Sequence, residues 1–296
     1  MPTQWIYLLV TTAAFFWGAN FVLAGAVLAD LPPLWAAALR FVLGAALMLA
    51  IAVRQGVDLW GLAKRHAGAY LLLGVVGIAA FNLLFFHALK TTSADSGALI
   101  MATNPLLTTL LAAALLGERP GARHLAALPL ALAGVAVVIS QGDMQRLAHL
   151  QVAEGDVLML AANVTWALFN VCSRRYMPAG SAVGNTALMM TAGAGVLLAT
   201  ALADGGTFAL PGLRADVALA VMAVGGTVLA YLFWGMGIQR LGAARTALFL
   251  NLVPVFAMLV GGMLGTPPTA VQMAGGLLVL GSVAMAVMPR WRAAAT

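Results

Sequence analysis

The chain has 296 residues, of which 63% are hydrophobic and 8% charged, with a formal net charge of +6. A soluble domain carries about a quarter charged residues, so this composition excludes an ordinary water-soluble fold and points to the bilayer as solvent. The basic residues are scattered singly or in pairs between apolar runs and form no basic patch, which argues against nucleic-acid binding. Cys172 is the only cysteine, so the chain forms no internal disulfide and no metal site built on paired thiolates.

In chain order, apolar runs cover 5–29, 33–53, 67–89, 96–116 and 125–140, then 157–173, 182–203, 217–238, 243–264 and 270–288. Their lengths of 16 to 25 residues match a hydrocarbon core of about 30 Å crossed at 1.5 Å per residue. The first run is too long for the core of a cleaved signal peptide and is expected to be retained. Gly, Pro and charge mark the breaks, as in Asp30-Leu31-Pro32-Pro33 and Gly117-Glu118-Arg119-Pro120. The fifth and sixth runs are the short ones. Extended by their polar flanks they give ten spans; merging or dropping one gives nine.

Eleven of the fifteen basic residues fall in loops on one side: Arg54, Lys64, Arg65, Arg119, Arg123, Arg174, Arg175, Arg240, Arg245, Arg290 and Arg292. Lys90, Arg146 and Arg214 fall on the other, and Arg40 lies inside a span. The positive-inside rule then puts both termini in the cytoplasm of a bacterial inner-membrane protein.

An internal repeat underlies the runs. A shift of 149 places Trp17 on Trp166, Asn82 on Tyr231, Phe85 on Trp234 and Pro105 on Pro254. A shift of 148 aligns 116–135 with 264–283. Each repeat, 1–141 and 153–290, then has five spans, and an odd number inverts the second copy. The expected fold is an all-α integral membrane protein with ten transmembrane helices in two inverted five-helix repeats, an architecture of secondary transporters whose site lies between the halves.

Several motifs carry a family resemblance: FFWGANFVLAG (15–25), LRF (39–41), NPLLTTLLAAALLGERPG (104–121) and AGVAVV (133–138). With them the chain resembles the EamA branch of the drug/metabolite transporter superfamily over essentially its whole length. The resemblance implies a ten-helix inner-membrane carrier, usually an exporter of amino acids, related metabolites or toxic compounds. The second half departs from the pattern, with Thr266 where the first has Glu118.

Asn163, Trp166 and Asn170 share one face of the sixth helix, and Trp17 and Asn20 make the matching pair on the first. A side-chain amide in hydrocarbon must find a partner, either a neighbouring helix or a polar cavity. Asn82, Phe85, Tyr231 and Trp234 offer rings with polar tips that suit the wall of a solute cavity. Trp5, Trp60 and Trp291 sit at span edges and fit an interfacial belt instead. Arg40 is positioned either to hold a substrate carboxylate or to snorkel to the interface. His87, read as the only histidine within a span, is titratable near neutral pH. Pro105 and Pro254 are expected to kink the fourth and ninth helices, with Asn104 and Asn251 near the loosened backbone as gating elements.

All nine acidic residues lie near the ends of apolar runs. An intramembrane carboxylate is therefore missing, which favours neutral, zwitterionic or anionic solutes over cations and gradient-driven export over carboxylate-based proton antiport. The functional expectation is an alternating-access exporter of amino acids or related small metabolites, with multidrug efflux as the alternative. An intramembrane enzyme would need a nucleophile–base pair or a metal cluster, and a scaffold long loops; neither pattern is present. No catalytic residue, metal or cofactor is expected. The partners are a small-molecule substrate and the lipid bilayer; the oligomeric state is open, a monomer being the simplest case. Reporter fusions after Arg65, Arg175 and Arg292 should report cytoplasm, and fusions after Asp30 and Asp204 periplasm. A periplasmic C-terminus would overturn the ten-span topology.

Overall fold

The computed structural model describes residues 2–92, 94–140, 143, 145, 153–204, 210–265 and 267–287, and among these every regular element is helical. Arg146, Thr266, Arg290, Trp291 and Arg292 lie outside the described residues. The helices are α1 (Thr3–Leu28), α2 (Pro33–Arg54), α3 (Leu59–Ala88), α4 in two pieces (Ala94–Ala102 and Asn104–Leu116), α5 (Ala122–Ser140), α6 (Glu154–Tyr176), α7 (Ala182–Ala203), α8 (Leu213–Leu241), α9 (Ala243–Met263) and α10 (Ala270–Val287). Among the described residues nine are long and apolar enough to cross a membrane, and the apolar part of α4, Ile100–Leu116, is shorter.

The shortness expected of the fifth and sixth runs falls elsewhere. Polar flanks lengthen α6 to 23 residues, with Glu154 and Asp156 in its first turn and Arg174 and Arg175 in its last. Those charges complement the helix dipole, so a purely apolar window underestimates the helix. The fourth helix is the interrupted one instead, because Asn104-Pro105 starts a new helical piece with proline in its first turn. Proline costs little there, and it disfavours helical geometry in the residue before it. Pro254 likewise lies in the first turn of Leu252–Met263, after a 3₁₀ turn at Leu248–Asn251. Each break therefore precedes its proline.

Large apolar side chains such as Phe21, Leu202 and Leu277 project outward. The interior is built largely from alanine, glycine and a few buried amides, the composition that lets membrane helices approach closely. Packing is pairwise: α1 lies on α8 and α9, α6 on α3 and α4, α2 on α7, and α5 on α10. Exchanging every helix for the one five places later leaves this set unchanged.

Two helices contain π segments at corresponding places, Val75–Ala80 in α3 and Met222–Leu229 in α8. Each takes a side chain from the helix packed on it. A Cβ at Gly77 would lie 2.1 Å from the Phe169 ring of α6, and one at Gly226 2.0 Å from Asn20 of α1. The widened π turns and their missing side chains form sockets for α1 and α6.

The α5–α10 pair is limited by backbone. A Cβ on Gly134 would meet the Gly275 carbonyl oxygen and the Val279 nitrogen, each at 2.9 Å. Gly134→Leu should therefore lower stability by about 1–3 kcal/mol, read as a lower melting temperature in detergent. Gly281→Leu, where nothing lies within 4 Å, should leave melting unchanged.

Candidate functional site

Five helices deliver aromatic rings to one cluster at the centre of the bundle. The Trp17 ring of α1 lies 5.4 Å from Trp166 of α6, 4.9 Å from Trp234 and 5.9 Å from Tyr231, both of α8. Trp166 also meets Phe81 of α3 at 5.2 Å, and Tyr231 meets Phe41 of α2 at 5.6 Å. Most contacts are edge-on or tilted, the arrangement favoured by ring quadrupoles. Phe85 stacks on Phe81 at 5.7 Å, on the edge of the cluster.

The tryptophans at equivalent positions differ in their partners. Trp17 Nε1 donates to the Gly226 carbonyl (2.9 Å), in the π segment of α8. The corresponding carbonyl in α3, Gly77, accepts from the Tyr231 hydroxyl instead (3.3 Å). Trp166 Nε1 is left buried with no partner.

Below the cluster runs a chain of buried amides and hydroxyls. Asn163 Nδ2 donates to the Ile100 carbonyl (2.7 Å) and to Thr103 Oγ1 (2.9 Å), at the break in α4. Asn104 Nδ2 donates to Asn163 Oδ1 (2.6 Å) and to the Asn163 carbonyl (2.9 Å). Thr108 Oγ1 donates to Asn104 Oδ1 (3.0 Å) and accepts from Asn170 Nδ2 (3.3 Å), and Asn170 Oδ1 accepts from Trp234 Nε1 (2.8 Å). The amides of α6 thus tie the α4 break to the aromatic cluster. Asn20 packs on Gly226, and Asn251, at the 3₁₀ turn of α9, has a buried and unpartnered Oδ1.

Arg40 stands between the cluster and a crevice. Its Nη2 donates to Asn82 Oδ1 (3.3 Å), and its Cζ lies 4.8 Å from the Phe41 ring centroid. The crevice, about 30 Å³, is walled by Val27 and Leu28 at the end of α1, Ala36 and Ala37 near the start of α2, Phe86 of α3, and Leu219 and Met222 of α8. These helix ends adjoin the arginine-poor loops. A second groove of about 390 Å³ lies between α1, α9 and α10, with no charged residue in its lining among the described residues.

Hydrogen bonds tie helices together at the arginine-rich end. Glu118, in the α4–α5 loop, accepts from the amides of Ala243 (2.9 Å) and Ala244 (3.2 Å), capping the start of α9. Gly242 (φ 93°) makes room for it, since a Cβ there would come within 2.9 Å of the carboxylate. Arg174 donates to the Gln239 carbonyl, Gln239 Nε2 to the Ser173 carbonyl (2.6 Å) and Arg175 to the Leu115 carbonyl (3.3 Å).

The histidines fall differently from expectation. His87 is exposed, with Nδ1 2.7 Å from the Leu83 carbonyl. It is not the only histidine in a helical span, because His66 lies at a kink in α3 and His124 is buried in α5. Thr109 Oγ1 donates to the Pro105 carbonyl (2.6 Å) and lies 3.0 Å from His124 Nε2. With the hydroxyl proton committed to Pro105, Nε2 carries the imidazole proton and Nδ1 is left buried without a partner. The position was missed because a histidine two residues after Gly-Ala reads as loop. Thr103, Thr108 and Thr109, also missed, flank the Asn-Pro pair, and that clustering was the available signal.

Long apolar helices around a polar, aromatic interior define a multi-pass membrane protein. The chain belongs to the EamA-like transporter family, whose profile matches residues 4–140 and 153–288. It is 38% identical to the uncharacterized transporter YyaM of Bacillus subtilis (strain 168), over 93% of this chain and 91% of that one. A probable amino-acid metabolite efflux pump of Escherichia coli (strain K12) is 28% identical, over 94% and 93%. The aromatic amino acid exporter YddG of Ancylobacter novellus is 26% identical, over 94% and 96%. A solved crystal structure superposes with a TM-score of 0.78 at 23% identity, covering 96% of both chains, which shows the fold.

The amide chain assigns Asn163 a structural load. Asn163→Ala removes bonds to Ile100, Thr103 and Asn104 together, and should destabilise by about 1–3 kcal/mol through buried groups left unsatisfied. The melting temperature of the purified variant checks this; an unchanged value would show that the break in α4 does not depend on Asn163.

Proposed function

We propose that this member of the family is an inner-membrane exporter of amino acids or related small metabolites. It works by alternating access between two inverted five-helix halves, 1–141 and 153–290, with both termini in the cytoplasm. The observation that carries this reading is the convergence of rings from both halves beside Arg40, which lines the crevice: Trp17, Phe41 and Phe81 from one, Trp166, Tyr231 and Trp234 from the other. A solute held there touches both halves, so rocking of one half against the other changes the side from which it is reached. The helix pairing that survives exchange of the halves, and the matched π segments and breaks, support the inverted repeat.

The crevice and the bonded arginine-rich end support an outward-facing arrangement, given the positive-inside orientation. Glu118, Arg174, Arg175 and Gln239 are then the contacts that part when the site turns inward. Pro105 and Pro254, with Asn104 and Asn251 beside them, place the helix breaks where α4 and α9 bend during that exchange. Amino-acid export among the relatives supports the solute class.

The reading is tested by flux in proteoliposomes. Preloaded phenylalanine, threonine and homologous amino acids should leave saturably down an imposed gradient. Trp166→Ala should reduce the rate by about tenfold, the worth of an aromatic contact of roughly 1.4 kcal/mol. Saturable efflux of lipophilic dications alone would replace this function with multidrug export, and no flux of any solute would remove the transport reading.

A further inference from the structure

A guanidinium in the interior of a membrane bundle has to be compensated, and Arg40 is not. The nine carboxylates of the chain all lie near the ends of apolar runs, and none pairs with Arg40 among the described residues. Its acceptor is a neutral amide oxygen, Asn82 Oδ1, at a long 3.3 Å. That oxygen is aimed by the other half of the same amide, since Asn82 Nδ2 donates to the Ile78 carbonyl (2.7 Å). Asn82 therefore points the guanidinium without neutralising it. Arg40 Nε is buried and has no acceptor at all. The guanidinium lies over the ring of Phe41, which packs on Tyr231.

Two more polar groups nearby are left without partners. Trp166 Nε1 belongs to a residue 4% exposed, whose ring touches Tyr231 at 5.7 Å. Thr227 Oγ1 lies in the π segment of α8, whose side chain meets Gly44, one turn along α2 from Arg40. Two N–H donors and one hydroxyl are thus left open in this part of the interior, one of the donors on a fixed positive charge. The crevice that Arg40 lines is otherwise apolar, walled by groups such as Val27, Phe86 and Met222. The complement of that surface is a small molecule with one carboxylate and an apolar body. A guanidinium matches a carboxylate through two parallel hydrogen bonds, and a single one suits a single anionic group.

Resting on the transporter reading, we infer that Arg40 is the counter-ion for a carboxylate on the transported solute, held in place by Asn82. The carboxylate enters from the arginine-poor end and accepts from Arg40, and the apolar part of the solute lies along the crevice wall. The site therefore selects for a carboxylate, whether or not an amine accompanies it, and rejects the decarboxylated amine.

The test uses the full chain in nanodiscs of neutral lipid, with binding measured by calorimetry for L-phenylalanine, 3-phenylpropionate and 2-phenylethylamine, then for the remaining amino acids. The expected result is saturable binding of carboxylate-bearing solutes and none of the amine. Arg40→Gln should weaken that binding by about tenfold or more, and Arg40→Lys should retain part of it. Amine binding equal to that of phenylalanine, no binding by any carboxylate, or full affinity in Arg40→Gln would overturn the inference. If Arg40→Gln does not fold, the comparison of ligands on the wild-type chain decides alone. Competitive loss of binding when anionic lipid is added would assign Arg40 to a headgroup and also overturn it. Flux assays on the same protein reconstituted in proteoliposomes separate the two readings. Flux of the amine without the carboxylates retires the carboxylate site and keeps the transporter; carboxylate binding without flux of any solute does the reverse.

Discussion

In hydrocarbon a backbone group that loses its helical partner finds no water to replace it, and the break in α4 at Thr103 is where this constraint bears hardest. The Ile100 carbonyl, left at the interruption with only the i+3 bond from the Thr103 amide (3.1 Å), also accepts from Asn163 and from Thr103 Oγ1. Asn104, the first residue beyond, is held by Asn163 in turn. Everything that follows along α6 depends on this bracing. The same amide chain reaches Asn170, whose oxygen fixes the Trp234 indole, so the aromatic cluster is oriented by the groups that repair a broken helix. A residue type that looks like a solute ligand in the sequence is here part of the frame holding the rings.

The two halves repeat one plan and diverge where chemistry is needed. Gly77 and Gly226 are matching sockets, one filled by Phe169 and the other by Asn20. The carbonyls at those sockets bind different donors, Tyr231 in one case and Trp17 in the other. That single difference leaves the Trp166 indole without an acceptor. Asn82 and Tyr231 occupy equivalent positions, yet Asn82 steers Arg40 while Tyr231 seals a backbone carbonyl. The position 149 residues after Arg40 is the buried Met189. A polar site needs such asymmetry, because two identical halves facing each other would place like charges together.

The ends of the bundle are unequal for a similar reason. Glu118 caps the first amides of α9, where a helix dipole favours a negative charge, and Gly242 leaves it room. This bond joins the α4–α5 loop to a helix of the other half, at the end of the bundle opposite the crevice. A carboxylate in the loop thus acts through the backbone it caps.

The sequence by itself determined the solvent, the helical class and most span boundaries, because apolar run length and loop charge report directly on hydrocarbon thickness. It also determined the family, through motifs legible without coordinates. It marked Trp17, Trp166, Tyr231 and Trp234 as a set through the repeat, and the tertiary structure places their rings together. Through Pro105 and Pro254 it marked α4 and α9 as the interrupted helices, but not that the break in α4 falls at Thr103, ahead of the proline, since composition hardly changes there. Nor did it separate the asparagines that brace helices from the arginine that lacks a counter-charge. Both kinds of residue look alike in an apolar window. Only the tertiary structure decides, because a hydrogen bond is satisfied or left open by what the neighbouring helix presents, and that neighbour is distant in the chain.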